Sequence, residues 1–411
     1  MKSEKKLSVY ENLIWNTVGS FTYLICQWLL TLIVVRVSDG FGNAGNLALA
    51  ISVTNIFFNL ACFNVRPYLI SDLENKFSSE QYCSFRIFSC ASSMLLCFIY
   101  SSFFKYSKEQ MLCIMFYMIF KLTEAWVDLY HGFEQRKLRM DIGGISLFAR
   151  GILSVVSFTV ALKLTQSVNC GIAIMIITVF IFIVAFDVPN VKKFENITFR
   201  FKKDYMFIML KEFLPLTVGA LMSSIGTNLP RQALQAELGS DILGIYSTVA
   251  TPAVFVQVAA SYIFNPVLVE FAELYRNKNY KKFMKEIGKI SGVLIGLIVV
   301  CLIGGKLVGR LGLTILYGGK ISQYADVLMP VLLFTGLNAF VWFFWNLLIV
   351  MRLQKKVVYI NGIGLAACLA TMKPMIIKYQ MNGVSYALIL YSVVLIILML
   401  YEIKRNLRSD R

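Results

Sequence analysis

The sequence has few charged residues, and this scarcity decides its environment. Only 15% of its 411 residues are charged, whereas 58% are hydrophobic, and the mean hydropathy is +0.68. A chain with so little polar surface cannot cover a globule of this size in water. The composition therefore excludes a soluble protein and predicts that lipid is the solvent.

Residues and motifs that serve catalysis are also scarce. His131 is the single histidine, and we expect it to be a helix-terminal cation beside Gly132 rather than a metal ligand. None of the nine cysteines forms a CxxC pair, so no metal or redox site is predicted. The chain contains no GxxxxGK[ST] motif, which argues against ATP as its direct fuel. No cofactor is expected.

Long apolar segments fill the chain instead. A bilayer core about 30 Å thick requires roughly 20 residues of apolar helix, and about twelve segments reach that length. The apolar runs are continuous rather than alternating, which predicts helices and not strands. The chain is thus predicted to be an all-α polytopic membrane protein. We expect its spans near residues 12–36, 44–66, 84–104, 109–131, 142–162, 169–187, 212–236, 242–266, 286–305, 325–351, 357–376 and 383–403.

The second six segments repeat the first six. Glycine and proline are scarce here, so their recurrence at one spacing indicates a duplication. Each half has an even number of spans, so both halves insert in the same orientation and a parallel pseudo-twofold axis along the membrane normal is predicted. The matching positions, each 199 residues apart, are Gly40 and Gly239, Gly45 and Gly244, Pro67 and Pro266, Leu69 and Leu268, and Glu74 and Glu273.

The duplication divides the chain into two lobes and a linker. We predict an N-terminal six-helix lobe over residues 1–187, a cytoplasmic linker over 188–211, and a C-terminal six-helix lobe over 212–411. The linker is the longest hydrophilic stretch of the chain and carries Lys192 and Lys193.

Positive charges are distributed unevenly between the two sides of the membrane. If both termini are cytoplasmic, the inner segments hold about three times as many lysines and arginines as the outer segments, as the positive-inside rule requires. Topology and anionic headgroups therefore account for the net charge of +17, and nucleic-acid binding is not predicted. Every predicted outer loop is short, which disfavours a membrane enzyme with a large catalytic loop.

The fourth predicted span carries three charged residues. Burying an ionised side chain in the membrane is costly, so such residues are candidates for function. Lys121, Glu124 and Asp128 share one stripe of the helix. One interpretation is a pair between Lys121 and Glu124 that only holds helices together. The other is a hydrated cavity, in which the lysine meets an anionic substrate and the acids Glu124 and Asp128 meet a coupling ion, either a proton or sodium.

Four arginines are further candidates for substrate binding. Arg150 and Arg231 lie inside spans with no acid one turn away, so each needs a partner from elsewhere. Their planar guanidinium groups match phosphate oxygens, and Pro230 is expected to bend the helix before Arg231. Arg36 and Arg66 lie at the ends of the first two spans, where snorkelling to the headgroups is the alternative interpretation.

Several motifs resemble one family of membrane proteins. Their order and their placement on the predicted spans are similar to those of the Wzx-like flippases, within the multidrug/oligosaccharidyl-lipid/polysaccharide exporter superfamily. The resemblance covers most of the chain and is weak after about residue 290. The motifs are Asn12-Leu-Ile-Trp15-Asn16, Val65-Arg66-Pro67-Tyr68 with Ser71-Asp72, Gly132-Phe-Glu-Gln135-Arg-Lys-Leu-Arg139-Met140-Asp141, Leu229-Pro230-Arg231 with Leu238-Gly239, and Leu243-Gly244-Ile245-Tyr246-Ser247.

The resemblance implies a MATE-like fold of two lobes around a cationic cavity in the bacterial inner membrane. It implies transport of an undecaprenyl-diphosphate-linked oligosaccharide to the outer leaflet by alternating access, for capsule or O-antigen synthesis. Arg66, Arg150 and Arg231 fall in matching motifs and would face the pyrophosphate or sugar. Membrane lipids and a polysaccharide polymerase are the other expected partners.

Three other functions stay open at this point. A multidrug antiporter of the same superfamily would need deep acids for cationic drugs, which the excess of buried cations disfavours. A lipid-linked peptidoglycan-precursor flippase would usually carry two more helices. A membrane glycosyltransferase, polymerase or acyltransferase would need paired outer carboxylates or a catalytic histidine.

Overall fold

Helices make up nearly all of the structure. The computed structural model describes residues 8–72, 76–199 and 201–409, and contains no strand within these ranges. Glu74 of the predicted repeat lies outside the described residues. The helices are α1 (Val9–Val37), α2 (Gly42–Cys62), α3 (Val65–Ser71), α4 (Ser79–Ser102), α5 (Lys108–Arg136), α6 (Met140–Thr165), α7 (Val168–Phe182), α8 (Val188–Val191), α9 (Lys203–Leu238), α10 (Ser240–Ala250), α11 (Val254–Phe264), α12 (Leu268–Arg276), α13 (Tyr280–Tyr317), α14 (Gly319–Ser322), α15 (Leu328–Val350), α16 (Gln354–Tyr379) and α17 (Met381–Ser409).

The chain is a multi-pass membrane protein. Eleven helical segments within the described residues are long and apolar enough to cross a bilayer. The fourth predicted span, 109–131, is not among these eleven: it corresponds to α5, which has 29 residues but is less apolar because it carries charged side chains along its length. Neighbouring helices cover much of α5, so its low hydropathy does not expose those charges to lipid. The predicted all-α membrane fold is confirmed.

The chain forms two compact units, Met1–Thr217 and Val218–Arg411. In the N-terminal unit, α1 packs along α6, while α5 packs against α2, α4 and α7. Glycines bring α1 and α6 into backbone contact: a Cβ atom at Gly19 would lie 2.4 Å from the carbonyl oxygen of Gly144. These contacts place the charged face of α5 in the interior of the unit.

The C-terminal unit has its own apolar core. Here α17 packs against α15 and α16, and α13 and α11 pack against α15. Phe271 forms edge-to-face ring contacts with Phe283 and Phe343 in this core, which also contains Tyr391 and Leu395 from α17. The helix α9 runs unbroken from Lys203 through Pro230, so the bend expected there does not interrupt the helix.

Backbone geometry supports the sequence repeat. Gly40 and Gly239 have φ angles of +84° and +87°, a conformation that glycine adopts without steric cost, and each precedes the second long helical segment of its unit. A second spacing, 214 residues, is visible only in the structure. It relates α6 (Met140–Thr165) to α16 (Gln354–Tyr379), and the left-handed Leu138 and Gln166 to Arg352 and Gln380. The spacing changes because α13 has 38 residues whereas α4 has 24.

Candidate functional site

The charged residues of α5 lie inside the N-terminal unit. A capping box begins this helix: the Ser107 hydroxyl accepts from the Gln110 N–H, and the Gln110 side chain accepts from the Ser107 N–H. The helix ends before Leu138, whose φ of +57° turns the chain toward α6. Between these ends the predicted stripe of charges contacts several neighbouring helices.

Glu124 forms an ion pair with Arg150 of α6. Arg150 Nη1 donates to Glu124 Oε1, and Arg150 Nε donates to the Ser146 hydroxyl at 3.1 Å. The guanidinium also lies 5.5 Å from the ring centroid of Tyr23 on α1. The Arg150 side chain is only 2% exposed, so its charge is neutralised inside the unit rather than by solvent. The expectation that Arg150 takes a partner from another helix is confirmed.

Asp128 lies between two arginines. Arg66 Nη1 of α3 is 3.3 Å from Asp128 Oδ1, and Arg86 Nη2 of α4 is 3.4 Å from Asp128 Oδ2. Arg66 also donates to Gln135 at 3.0 Å, and Arg86 donates to the Ala61 carbonyl at 2.6 Å. Arg66 and Asp128 are each 27% exposed, whereas Arg86 is fully buried. Arg66 therefore ion-pairs within the protein as well as lying near a helix end.

Arg86 is a member of this group that the sequence analysis missed. It lies two positions inside the predicted third span and, like Arg150, has no acid within four positions of it in its own helix. The same argument that singles out Arg150 would have found it.

Lys121 lies beside these ion pairs. Its ammonium is 5.0 Å from the ring centroid of Phe58 and 5.7 Å from that of Tyr117, and it interacts electrostatically with Glu124. Because the close partner of Glu124 is Arg150, the interpretation of Lys121 and Glu124 as a self-contained pair is wrong. Lys121 is a half-buried cation held by aromatic rings.

The two remaining predicted residues are Arg36 and Arg231. Arg36 is exposed in the last turn of α1, where the helix dipole favours a cation. Arg231 belongs to α9 in the C-terminal unit, where it acts electrostatically on Tyr246. Arg231 Nε is buried and has no hydrogen-bond partner among the residues described. The structure thus joins Arg66, Lys121, Glu124, Asp128 and Arg150 within one unit.

Three further titratable groups are buried near the Arg136 end of α5. His131 is 7% exposed and Glu134 is 1% exposed, and Asp187 of the sixth span is fully buried. The expectation that His131 is a helix-terminal cation is wrong, because α5 continues to Arg136 and the His131 side chain is buried. Within the described part of the chain, no group of three or more His, Cys, Asp or Glu residues is arranged to hold a metal ion.

A polar network closes the loop between α3 and α4. Asp72 accepts hydrogen bonds from the backbone N–H groups of Lys76 and Phe77, at 2.9 and 3.2 Å, and from the Tyr82 hydroxyl at 3.0 Å. Burial raises the pKa of Asp72, but these hydrogen bonds and the nearby Arg136 outweigh it and leave the pKa below its ordinary value. Lys76 and Tyr68 also hydrogen-bond to Glu212 at the start of α9.

Comparison with known proteins gives one relative over nearly the whole chain. The capsular polysaccharide biosynthesis protein CapF of Staphylococcus aureus is 22% identical over 405 residues, which cover 96% of this chain and 99% of that protein. No protein-family profile matches the chain.

Solved structures of transporters share the fold. The lipid II flippase MurJ, in an inward closed conformation, superposes with a TM-score of 0.75 at 13% identity, covering 95% of this chain and 87% of MurJ. A mutant of the Vibrio cholerae MATE transporter VcmN gives a TM-score of 0.66 at 10% identity, covering 97% of this chain and 96% of that chain. These comparisons confirm the resemblance to Wzx-like flippases of the exporter superfamily that the sequence motifs indicate.

Proposed function

We propose that this protein is a flippase for surface polysaccharide synthesis. It moves an undecaprenyl-diphosphate-linked oligosaccharide repeat unit from the cytoplasmic to the outer leaflet of the bacterial inner membrane. The observation that carries the proposal is the similarity, along nearly the full length, to a capsular polysaccharide biosynthesis protein in a chain with a transporter fold. The distribution of positive charge supports cytoplasmic termini.

The chemistry of the task fits the buried cations. A diphosphate cannot cross about 30 Å of hydrocarbon unaided, because its charges would lose their hydration. Arginine and lysine side chains inside the protein replace that hydration, while the polyprenyl tail stays in lipid. No bond is made or broken, so the proposed function needs neither a nucleophile nor a cofactor and is not enzymatic.

The ion pairs indicate which cations are accessible to a diphosphate. Arg66 and Asp128 are partly exposed, so a diphosphate can compete with Asp128 for the Arg66 guanidinium. Arg150 is closed off by Glu124, and protonation or cation binding at Glu124 would release it. We therefore keep Glu124 and Asp128 as coupling acids and assign Arg66, Lys121, Arg150 and Arg231 to substrate binding. Arg36 is kept as a further substrate-binding candidate.

Deletion of the gene tests the proposal. Surface polysaccharide should vanish, while complete lipid-linked repeat units accumulate on the cytoplasmic leaflet, and the intact gene should restore export. Accumulation of shortened units would indicate a glycosyltransferase instead. Loss of peptidoglycan synthesis with normal polysaccharide would indicate a peptidoglycan-precursor flippase, and unchanged polysaccharide with increased drug sensitivity would indicate an antiporter.

A further inference from the structure

The group of His131, Glu134 and Asp187 is distinct from the arginine pairs. Neither carboxylate oxygen of Glu134 has a hydrogen-bond partner within the described residues, and the same holds for His131 Nε2. Both side chains are more than nine-tenths buried. Buried polar atoms are normally satisfied, so unpartnered ones require an explanation.

Glu134 and His131 converge on one point of the neighbouring helix α6. A Cβ atom at Gly143 would lie 2.8 Å from Glu134 Oε2 and 3.1 Å from His131 Cδ2. Glycine at this position leaves room for both side chains. Asp187 reaches the same region from a π-helical turn, Ile183–Asp187, and faces the Ser146 hydroxyl on α6. Such turns are frequent at functional sites.

Charged groups from the surrounding elements act on this cluster. Arg66 of α3, Arg150 and Asp141 of α6, and Asp187 act on Glu134. Arg150 and Arg66 act on His131, while Arg150 and Glu124 act on Asp187. Both arginines already have carboxylate partners, Asp128 and Glu124. They therefore stabilise a negative charge on Glu134 only weakly, because neither arginine donates a hydrogen bond to it and each already has another carboxylate partner.

An ionised Glu134 would be destabilising at this buried position. The desolvation penalty of a buried carboxylate without a close partner is several kcal/mol, so the group holds a proton instead. Glu124 and Asp128 differ, because each has a direct arginine contact. Binding or release of a proton at Glu134 therefore breaks no ion pair.

We infer that Glu134, with His131 and Asp187, forms a proton-binding site inside the N-terminal unit. Its ligand is a proton, since the described residues offer no metal-binding group there. Glu134 is two residues from the end of α5, next to Arg136 and Lys137, which the charge distribution assigns to the cytoplasm. A role of this site in coupling rests on the proposed function, whereas proton binding itself does not.

Carbodiimide labelling tests proton binding without any transport assay. Dicyclohexylcarbodiimide reacts with protonated carboxyl groups in apolar surroundings, so full-length protein in native membranes should be labelled at Glu134. Labelling should fall roughly tenfold per pH unit above the midpoint of the titration. Glu134→Gln should abolish it, whereas Glu109→Gln, at an exposed acid near the other end of α5, should leave it intact. The infrared band of protonated carboxyl groups should also lose intensity in Glu134→Gln. If Glu134 is not labelled and this substitution leaves the band unchanged, the proposed site is wrong.

Flipping in proteoliposomes tests coupling. Glu134→Gln should still flip lipid-linked oligosaccharide, but an imposed pH gradient should accelerate its flipping about tenfold less than that of the wild type. Glu134→Asp should recover part of this acceleration. A gradient response equal to that of the wild type would overturn the coupling role. If wild-type protein does not flip this lipid, the proposed function fails while the labelling result still decides the site.

Discussion

At the residue scale, the arrangement is governed by the cost of charge inside a membrane. Each of the two deepest arginines, Arg86 and Arg150, has a carboxylate partner on α5 and a second oxygen atom as acceptor. Glu134 and Asp187 are buried acids whose carboxylate oxygens have no hydrogen-bond partner in the described chain. Charged residues that looked alike in the sequence therefore differ in whether a direct ion pair stabilises their charge.

The first prediction concerns the Arg150 pair. Arg150→Met should lower the free energy of unfolding by about 3–5 kcal/mol, because Glu124 is left buried and unpaired. Adding Glu124→Gln should recover most of this loss, as thermal unfolding in detergent would show. Glu286→Gln is the control, since its partner Lys289 is 71% exposed and such surface pairs contribute about 0–1 kcal/mol. Equal losses in the single and double variants would contradict the pairing.

The second prediction concerns Asp72 and pH. The folded pKa of Asp72 is below its unfolded value, so its stabilising effect is complete above the unfolded pKa, about 3.9, and is lost as pH falls through the folded pKa. The melting temperature of Asp72→Asn should therefore lie below that of the wild type at neutral pH, and the difference should shrink in acid. A difference that stays constant with pH would show that the carboxylate charge is unimportant.

At the element scale, backbone contact between α1 and α6 builds the N-terminal unit. Gly19 and Gly144 let the two helices meet without intervening side chains, and a Cβ atom at Gly144 would lie 2.4 Å from the Trp15 carbonyl oxygen. Three glycines of α13, by contrast, have open space around them: Gly288, Gly292 and Gly296. Identical substitutions at these two kinds of glycine should have opposite effects.

The third prediction compares the two kinds of glycine. Gly19→Ala should destabilise the protein by about 1–3 kcal/mol, because the added methyl group meets backbone atoms that cannot move independently. Gly296→Ala should be neutral or stabilising by about 0.4–1 kcal/mol, since alanine favours the helix and meets no atom. Unfolding transitions of the two variants check this. A stable Gly19→Ala would mean that α1 and α6 are farther apart.

Sequence reasoning predicted the elements better than their contacts. The glycines 199 residues apart were visible in the sequence because the backbone there requires φ values that other residues avoid. The 214-residue repeat was not recognised in the sequence, since Gln166 and Gln380 match but Leu138 and Arg352 share a backbone conformation and not a residue type. The partners of Glu124 and Asp128 come from other helices, and helix periodicity carries no information about such contacts.

At the scale of the whole molecule, a fold shared with solved transporter structures contains buried arginines that form ion pairs with acids of α5. The similarity to CapF and the fold shared with MurJ extend over nearly the entire chain, so the resemblance does not depend on one segment. The proposed substrate has a diphosphate that needs cations and a lipid tail that needs none. Arg86 and Arg150 supply buried cations, and many large hydrophobic side chains are exposed.

The fourth prediction follows from the exposed pair. Arg66→Ala should reduce export of polysaccharide by roughly tenfold or more, because the loss of one charge-assisted contact to a diphosphate costs about 1.5–3 kcal/mol. Surface polysaccharide and membrane insertion would be measured together. Arg310→Ala, at an exposed position of α13, is the control for loss of a positive charge. Full export by Arg66→Ala would remove this arginine from the substrate site.

The central claim is tested most directly with purified protein in liposomes that contain a lipid-linked oligosaccharide in both leaflets. A membrane-impermeant glycan-modifying enzyme added outside reacts only with the outer leaflet. The account predicts that the wild-type protein makes nearly all of the lipid-linked glycan reactive, whereas empty liposomes expose about half, the outer-leaflet share, and Arg66→Ala exposes the inner half roughly tenfold more slowly. A wild-type protein that leaves the inner half unreactive would contradict the account.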